Sequence, residues 1–274
     1  MALVPFLKTT QTPAADPPPD RDEDRGDGGA GKMSFLDHLD ELRRRLVYAL
    51  IAVVVGFGIA IVFIGPIFDF VMAPMQAGLA PGQKLIFTEP TEAIMLYMKM
   101  ALLAGILLAS PAVFAQIWLF IAPGLYQHEK RMAIPFILLG SLCFVGGAAF
   151  SHFIIFPPTW QFFSSFESDI LSFTPRIEPA FGLYVKLMLV FGVIFQMPTL
   201  ILFLAKMGLV TARFLIRNMK YAILIMFILG AVLSPGTDPV SQVMMVAPMF
   251  VLYIISIGLA RLFGKKRTAT TDAT

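Results

Sequence analysis

Two carboxylates stand out among the residues able to recognise a ligand. Glu41 lies in His38-Leu39-Asp40-Glu41-Leu42-Arg43-Arg44-Arg45, and Glu129 in Leu125-Tyr126-Gln127-His128-Glu129-Lys130-Arg131. Each is an acid set among bases at the edge of an apolar run. A carboxylate takes a guanidinium through two parallel hydrogen bonds, so a ligand carrying arginine is the natural cationic occupant. A local alternative stands beside each. Glu41 can pair with Arg45 one helical turn on, for about 0.3–0.5 kcal/mol, and Glu129 can be a solvated loop charge beside Lys130.

Catalytic chemistry is poorly supplied. The three histidines, His38, His128 and His152, have no second histidine or cysteine at ligand spacing, and Cys143 is the single cysteine. That removes an internal disulfide framework and any cysteine-based metal site. There is no G-x-S-x-G, H-E-x-x-H or P-loop pattern, and no pair of acids shares one apolar span. The expectation is a protein that is not an enzyme, with no cofactor, metal or nucleic-acid partner. Other polar groups sit inside apolar runs. Lys99 and Lys186 each lie about two turns from a span end, either as functional intramembrane charges or snorkelling to the headgroups. Gln196 precedes Pro198 by two residues; its amide can satisfy the bent backbone or bond a partner helix.

The elements that hold these groups are membrane helices. Of 274 residues, 57% are hydrophobic and 14% charged, with mean hydropathy +0.78; a soluble domain is about 25% charged. Residues 1–33, with Pro17-Pro18-Pro19 and the acidic stretch that follows, read as a disordered tail. From Ser34, a capping pattern and the spacing of Phe35, Leu39, Leu42 and Leu46 predict a short interfacial amphipathic helix. Six spans follow over 34–264: Leu46–Phe68, Ala93 to about Phe120 with a break at Pro111, Ala133–Phe156, about Phe181 to Leu204, and two short ones, Tyr221–Leu233 and Val240–Ala260. The last two are separated by the turn Ser234-Pro235-Gly236-Thr237-Asp238-Pro239. Residues 265–274 form a C-terminal tail.

Charge sets the orientation. Fourteen Lys and Arg residues flank one side, among them Arg43, Arg44, Arg45, Lys130, Arg131, Arg213, Arg217 and Lys220, while only Lys84 and Arg176 flank the other. Both termini are therefore expected in the cytoplasm. The opposite loops, about 69–92 and 157–180, are acidic and rich in proline and aromatic residues, and read as ordered caps.

These stretches resemble the TatC subunit of the twin-arginine protein translocase, from about Ser34 to Lys266. The resemblance is carried by H-L-D-E-L-R-R-R-L at 38–46, A-P-M at 73–75, S-P-A-V-F-A-Q-I-W-L-F-I-A-P-G-L-Y-Q-H-E-K-R at 110–131, F-P at 156–157, F-G-V-I-F-Q-M-P at 191–198 and L-S-P-G-T-D-P-V-S-Q at 233–242. It implies an all-α, cup-shaped receptor of six spans in the bacterial plasma (inner) membrane. Such a receptor binds the paired arginines of signal peptides on folded cargo, assembles with the single-span subunits TatA and TatB in a multimeric complex among membrane lipids, and uses the proton-motive force. On matching motif positions, Glu41 and Glu129 receive the arginines; Arg43, Arg45, Phe120, Tyr126 and His128 surround them. Ser234 and Gln242 form a polar pair where partner helices dock, with Gln196 a third candidate. Many members carry glutamate where this chain has Gln196, which puts any role needing a charge there in question. The rival reading is a secondary transporter for a small solute, which would need a polar midplane site in two related halves; no internal repeat is visible.

Overall fold

The computed structural model describes residues 35–79, 82–121, 133–168, 170, 172–234 and 239–264. By its contacts the chain divides into residues 1–40, of which only the opening of the first helix is described, and residues 41–274. The expected tails, 1–33 and 265–274, and the capping residue Ser34 lie outside the described residues.

The first helix, α1 (Phe35–Val62), merges the amphipathic start and the first span into one rod. No residue between them breaks the helical register, and Leu42, Arg43 and Arg44 are all good helix formers. The side chains of Asp37 to Asp40 are exposed. The chain turns at Phe63, earlier than the expected end at Phe68, and α2 (Ile64–Ala77) begins there. The reason is Pro66, which lacks the amide needed to continue α1 but suits a first turn. Then come α3 (Pro90–Ile121), α4 (Ala133–Phe150), a π-helical turn (Ser151–Ile155) and α5 (Phe156–Ser164). The expected break at Pro111 is absent: α3 passes through it as one helix. The fourth span is α6 (Ile177–Ile194) followed by α7 (Gln196–Lys206), and after them come α8 (Ala212–Arg217), α9 (Met219–Leu233) and α10 (Pro239–Phe263).

Among the described residues five stretches are long and apolar enough to cross a membrane, and α9 is a shorter sixth. At 1.5 Å per residue the 15 residues of α9 reach about 22 Å, short of a hydrocarbon core of about 30 Å. The sixth span is not short, contrary to expectation. Its 25 residues reach about 37 Å. Ser241, Gln242 and Pro248 dilute its apolar run without stopping the helix.

The π turn has a local cause. Pro157 and Pro158 have no amide to donate, so the carbonyls one turn earlier lose their α-helical partners. The chain widens instead, and the Phe156 amide bonds the Ser151 carbonyl five residues back. The Thr159 hydroxyl donates to the Ile155 carbonyl at 2.7 Å. The turn seats His152, buried against Phe70 with ring centroids 4.1 Å apart and its Nδ1 2.8 Å from the Tyr184 hydroxyl.

Packing concentrates in two clusters. One joins α2, α3, α5 and α6 around Met75, Met100, Phe156, Trp160, Phe181 and Tyr184. The other joins α7 to α10 around Ile201, Leu215, Met226, Met249 and Tyr253. The first span is the least buried of the five, at 11% of its window against 44% for α6–α7. It crosses α3 where two glycines meet: a methyl on Gly56 would stand 2.5 Å from the Gly105 carbonyl oxygen. Small residues are what let helices approach closely where lipid gives no hydrophobic drive.

Gly105→Val should therefore push α1 off α3 and lower unfolding stability by about 1–3 kcal/mol. Gly58→Ala, whose added methyl meets open space, should change it little. Thermal unfolding in detergent measures both, and equal melting for the two variants would refute the crossing.

Candidate functional site

Glu41 lies on α1 with Arg45 one turn on. The Arg45 Nη2 donates to Glu41 Oε1 at 3.2 Å, and the two side chains are 24% and 15% exposed. The helical pair weighed from the sequence is thus formed. It uses half of each group: Glu41 Oε2 and Arg45 Nε are buried with no hydrogen-bond partner. A buried acceptor without a donor costs about 1–3 kcal/mol, so a donor arriving at Oε2 would remove a standing penalty. Arg43 is exposed, and the Arg44 guanidinium lies 5.8 Å from the centre of the Tyr48 ring. Phe120 is partly buried near the end of α3. Glu129, Tyr126 and His128 lie outside the described residues. Gln116, one turn before Phe120, was not singled out from the sequence; its Oε1 is buried without a partner. A polar residue inside an apolar span was the available signal.

Gln196 opens α7 immediately after the break at Phe195. Its Nε2 donates to Gly140 of α4 at 3.0 Å and to Gly192 of its own span at 3.4 Å. The backbone-satisfying alternative is thus formed at Gly192, and the second bond goes to α4 of the same chain. Nearby, the Thr199 hydroxyl donates to Cys143 Sγ at 3.4 Å. Ser234 and Gln242 stand where α9 ends and α10 begins. Gln242 Nε2 donates to the Phe227 carbonyl at 3.0 Å, while Ser234 Oγ is buried and unpartnered.

The opposite, acidic side is closed on itself. The Glu92 carboxylate, 3% exposed, takes the Arg176 guanidinium, the Thr88 hydroxyl at 3.0 Å and the Thr88 amide at 3.2 Å. This carboxylate holds the Arg176 guanidinium above its already high ordinary pKa. Lys99 does not stand alone: its Nζ is 2.8 Å from Glu178 Oε1. The Ile86 amide donates to the Pro175 carbonyl at 3.2 Å, the Ile177 amide to the Ile86 carbonyl at 2.9 Å, and Trp160 Nε1 to the Met75 carbonyl at 3.0 Å. The described parts of the two stretches read as caps are joined by these bonds, and the first of them is helical as far as Ala77 rather than loop. No group of three metal-ligating side chains gathers among the described residues.

If Gln196 ties α6–α7 to α4, then Gln196→Leu leaves two carbonyls short of a donor. It should lower unfolding stability by about 1 kcal/mol, and Gln196→Asn, too short to reach both, should fall between. Denaturation in mild detergent is the test; a Leu variant as stable as wild type would show that the bonds carry nothing.

Comparison with known proteins fixes the family. A family model described as Sec-independent protein translocase protein (TatC) matches residues 37–248. A Sec-independent protein translocase protein TatC of Desulforapulum autotrophicum is 46% identical over 241 residues, covering 88% of this chain and 89% of that protein. Its counterpart in Koribacter versatilis is 40% identical, covering 85% and 87%. Two crystal structures of the twin arginine translocase receptor TatC, one in DDM, superpose with TM-scores of 0.71 and 0.72 at 37% and 38% identity, covering 82% of this chain and 98% and 99% of theirs. These matches overturn the rival reading as a small-solute transporter. Gln196, the polar group a midplane solute site would need, spends both amide hydrogens on backbone. The chain belongs to the TatC family of Sec-independent protein translocases.

Proposed function

We propose that this chain is the receptor subunit of a twin-arginine translocation system and has no catalytic chemistry of its own. Its basic face is the cytoplasmic face of a bacterial plasma membrane, which places both termini in the cytoplasm. There Glu41 and Glu129 receive the paired arginines of a signal peptide on folded cargo, with Arg43, Arg45, Phe120, Tyr126 and His128 around them. Ser234 and Gln242, with Gln196 behind them, serve the docking of single-span TatA and TatB helices in a multimeric complex. The proton-motive force drives transport.

The observation that carries this reading is the state of Glu41. Its carboxylate has one oxygen in a long bond with Arg45 and the other buried and empty. A guanidinium arriving from a peptide can take both oxygens, exchanging a weak pair for a bidentate one. A charge-assisted hydrogen bond nets about 1.5–3 kcal/mol, or roughly tenfold to a hundredfold in affinity. Lysine, a compact point charge, cannot make the fork. Arg45, released, stays one helical turn from the site.

Affinity of the purified protein for a twin-arginine signal peptide tests the assignment. Glu129→Ala and Glu129→Gln should abolish tight binding with folding intact, Glu129→Asp should be intermediate, and Glu41→Ala should cost less, because Asp37 and Asp40 are near in sequence. Discrimination of Arg-Arg from Lys-Lys peptides that survives in Glu41→Ala/Glu129→Ala would remove both acids from the role.

Orientation has its own check. A reporter active only in an oxidising exterior, fused after Thr274, should stay silent; activity there would invert the topology.

A further inference from the structure

The stretch from the end of α7 to the start of α9 carries bases and no acids. Lys206 closes α7, Arg213 and Arg217 lie on α8, and Lys220 lies in the first turn of α9. All four side chains are exposed. The sequence has no acidic residue between Glu178 and Asp238. Both of those acids belong to the other side, Glu178 in the first turn of α6 and Asp238 just before α10. The helices that α8 packs on, α9 and α10, contain no carboxylate. None of the helices holding these bases can balance them.

The build of α8 sets how the bases are displayed. Gly208, with φ of 78°, ends α7 in a left-handed turn. Thr211 caps α8, its hydroxyl accepting from the Phe214 amide at 3.2 Å. Leu215 is buried, and the Tyr253 hydroxyl of α10 donates to its carbonyl at 2.8 Å. At about 100° of turn per residue, Arg213 and Arg217 share the face opposite Leu215, one turn apart. Phe214 and Ile216 flank that face, and both are exposed. Like charges at this spacing repel each other. Counting bases is enough to orient a membrane protein, but it does not call for two arginines on one face fenced by apolar side chains. That arrangement fits a headgroup layer, where arginine meets phosphate and the apolar side chains meet acyl tails.

Depth agrees with composition. Only Asn218 separates α8 from α9. The 15 residues of α9 reach about 22 Å, less than a hydrocarbon core of about 30 Å. A span this short thins the bilayer around its ends, which keeps α8 at the boundary of hydrocarbon and headgroups. Tyr221 is exposed in the same turn as Lys220, whose ammonium lies 5.1 Å from the ring centre. Aromatic residues of this kind mark membrane–water interfaces.

We propose that α8 is an anionic-lipid site. Arg213 and Arg217 together hold the phosphate of an acidic phospholipid, with Lys220 adding charge, while Phe214 and Ile216 enter the acyl region. A phosphate accepts paired hydrogen bonds from guanidinium and removes the repulsion between the two arginines. The lipid so held fills the thinned leaflet at the short span. Free phosphate would satisfy the arginines but leave Phe214 and Ile216 in water.

The test uses the full chain with Cys143→Ala and Ile216→Cys, labelled with the environment-sensitive fluorophore NBD, in phosphatidylcholine vesicles. Small amounts of phosphatidylglycerol or phosphatidylcholine spin-labelled on the acyl chain serve as quenchers. The phosphatidylglycerol quencher should be enriched at the label over the phosphatidylcholine one by about thirtyfold, the preference that two bases at a membrane surface provide. Arg213→Gln/Arg217→Gln should bring the ratio close to one, Arg213→Lys/Arg217→Lys should fall between, and Lys84→Gln on the acidic side should leave it unchanged. Equal quenching by the two lipids, or a preference that survives in Arg213→Gln/Arg217→Gln, overturns the proposal. Loss of the preference to inorganic phosphate, but not to chloride at equal ionic strength, assigns the arginines to free phosphate and overturns it. Quenching by aqueous iodide with none by either lipid puts α8 in water, facing an acidic protein surface, and overturns it too. That depth reading needs neither arginine variant, so it decides even if one of them fails to fold.

Discussion

A carbonyl oxygen inside hydrocarbon has no water to turn to, and an unmet one costs several kcal/mol. Several interruptions of helices among the described residues are matched by an added donor. At the π turn the Phe156 amide reaches back five residues and Thr159 adds its hydroxyl. At the Phe195 break Gln196 supplies two bonds, one across to α4. Where α8 gives way to α9, the Tyr253 hydroxyl donates to the Leu215 carbonyl at 2.8 Å. Beyond α2, Trp160 donates to Met75. These side chains let helices be bent and uneven without leaving the backbone short, and they fix which helices are neighbours.

This constraint also explains what could be read from the sequence. Apolar runs located the spans because hydropathy reports the solvent, and the solvent here is lipid. The basic and acidic flanks separated the two sides for the same reason. Span ends were read less well. α1 gives way at Phe63 because Pro66 fits only the first turn of the next helix, yet Phe63 to Phe68 is apolar throughout and gives hydropathy nothing to register. The π turn has the same origin: Pro157 and Pro158 were visible, but whether the chain would kink, stop or widen depended on the amide of Phe156 and the fit of His152 against Phe70. Pro111 and Pro248 broke nothing, since each sits in a helix that continues past it. The Gly56–Gly105 crossing was hidden because its two halves are far apart in the chain.

Candidate site residues divide along a similar line. Glu41 was legible because an acid among bases at a helix start is unusual, and its pair with Arg45 follows from helical spacing. That one oxygen would be buried and unpartnered could not be read from spacing, since burial is a tertiary property. The partners of Lys99 and Gln196 were equally out of reach: Glu178 and Gly140 are distant in sequence.

The two sides of the protein use their carboxylates differently, and the difference bears on how a receptor can be rigid and still bind. On the acidic side Glu92 is saturated by one guanidinium, one hydroxyl and one amide, and Glu178 holds Lys99. Such a buried and fully bonded carboxylate has little left to offer a ligand, and breaking its pair would strand a charge. Its role is to lock the loops that join α2 to α3 and α5 to α6. On the basic side Glu41 sits on the least buried of the five long spans, half-bonded, on a helix that meets α3 at a two-glycine crossing. On the proposed reading, the acid that binds lies where the framework is least buried, while the carboxylates of the acidic side are already bonded. If Glu41 receives an arginine as proposed, its single one-turn pair with Arg45 leaves the second oxygen open to complete the fork.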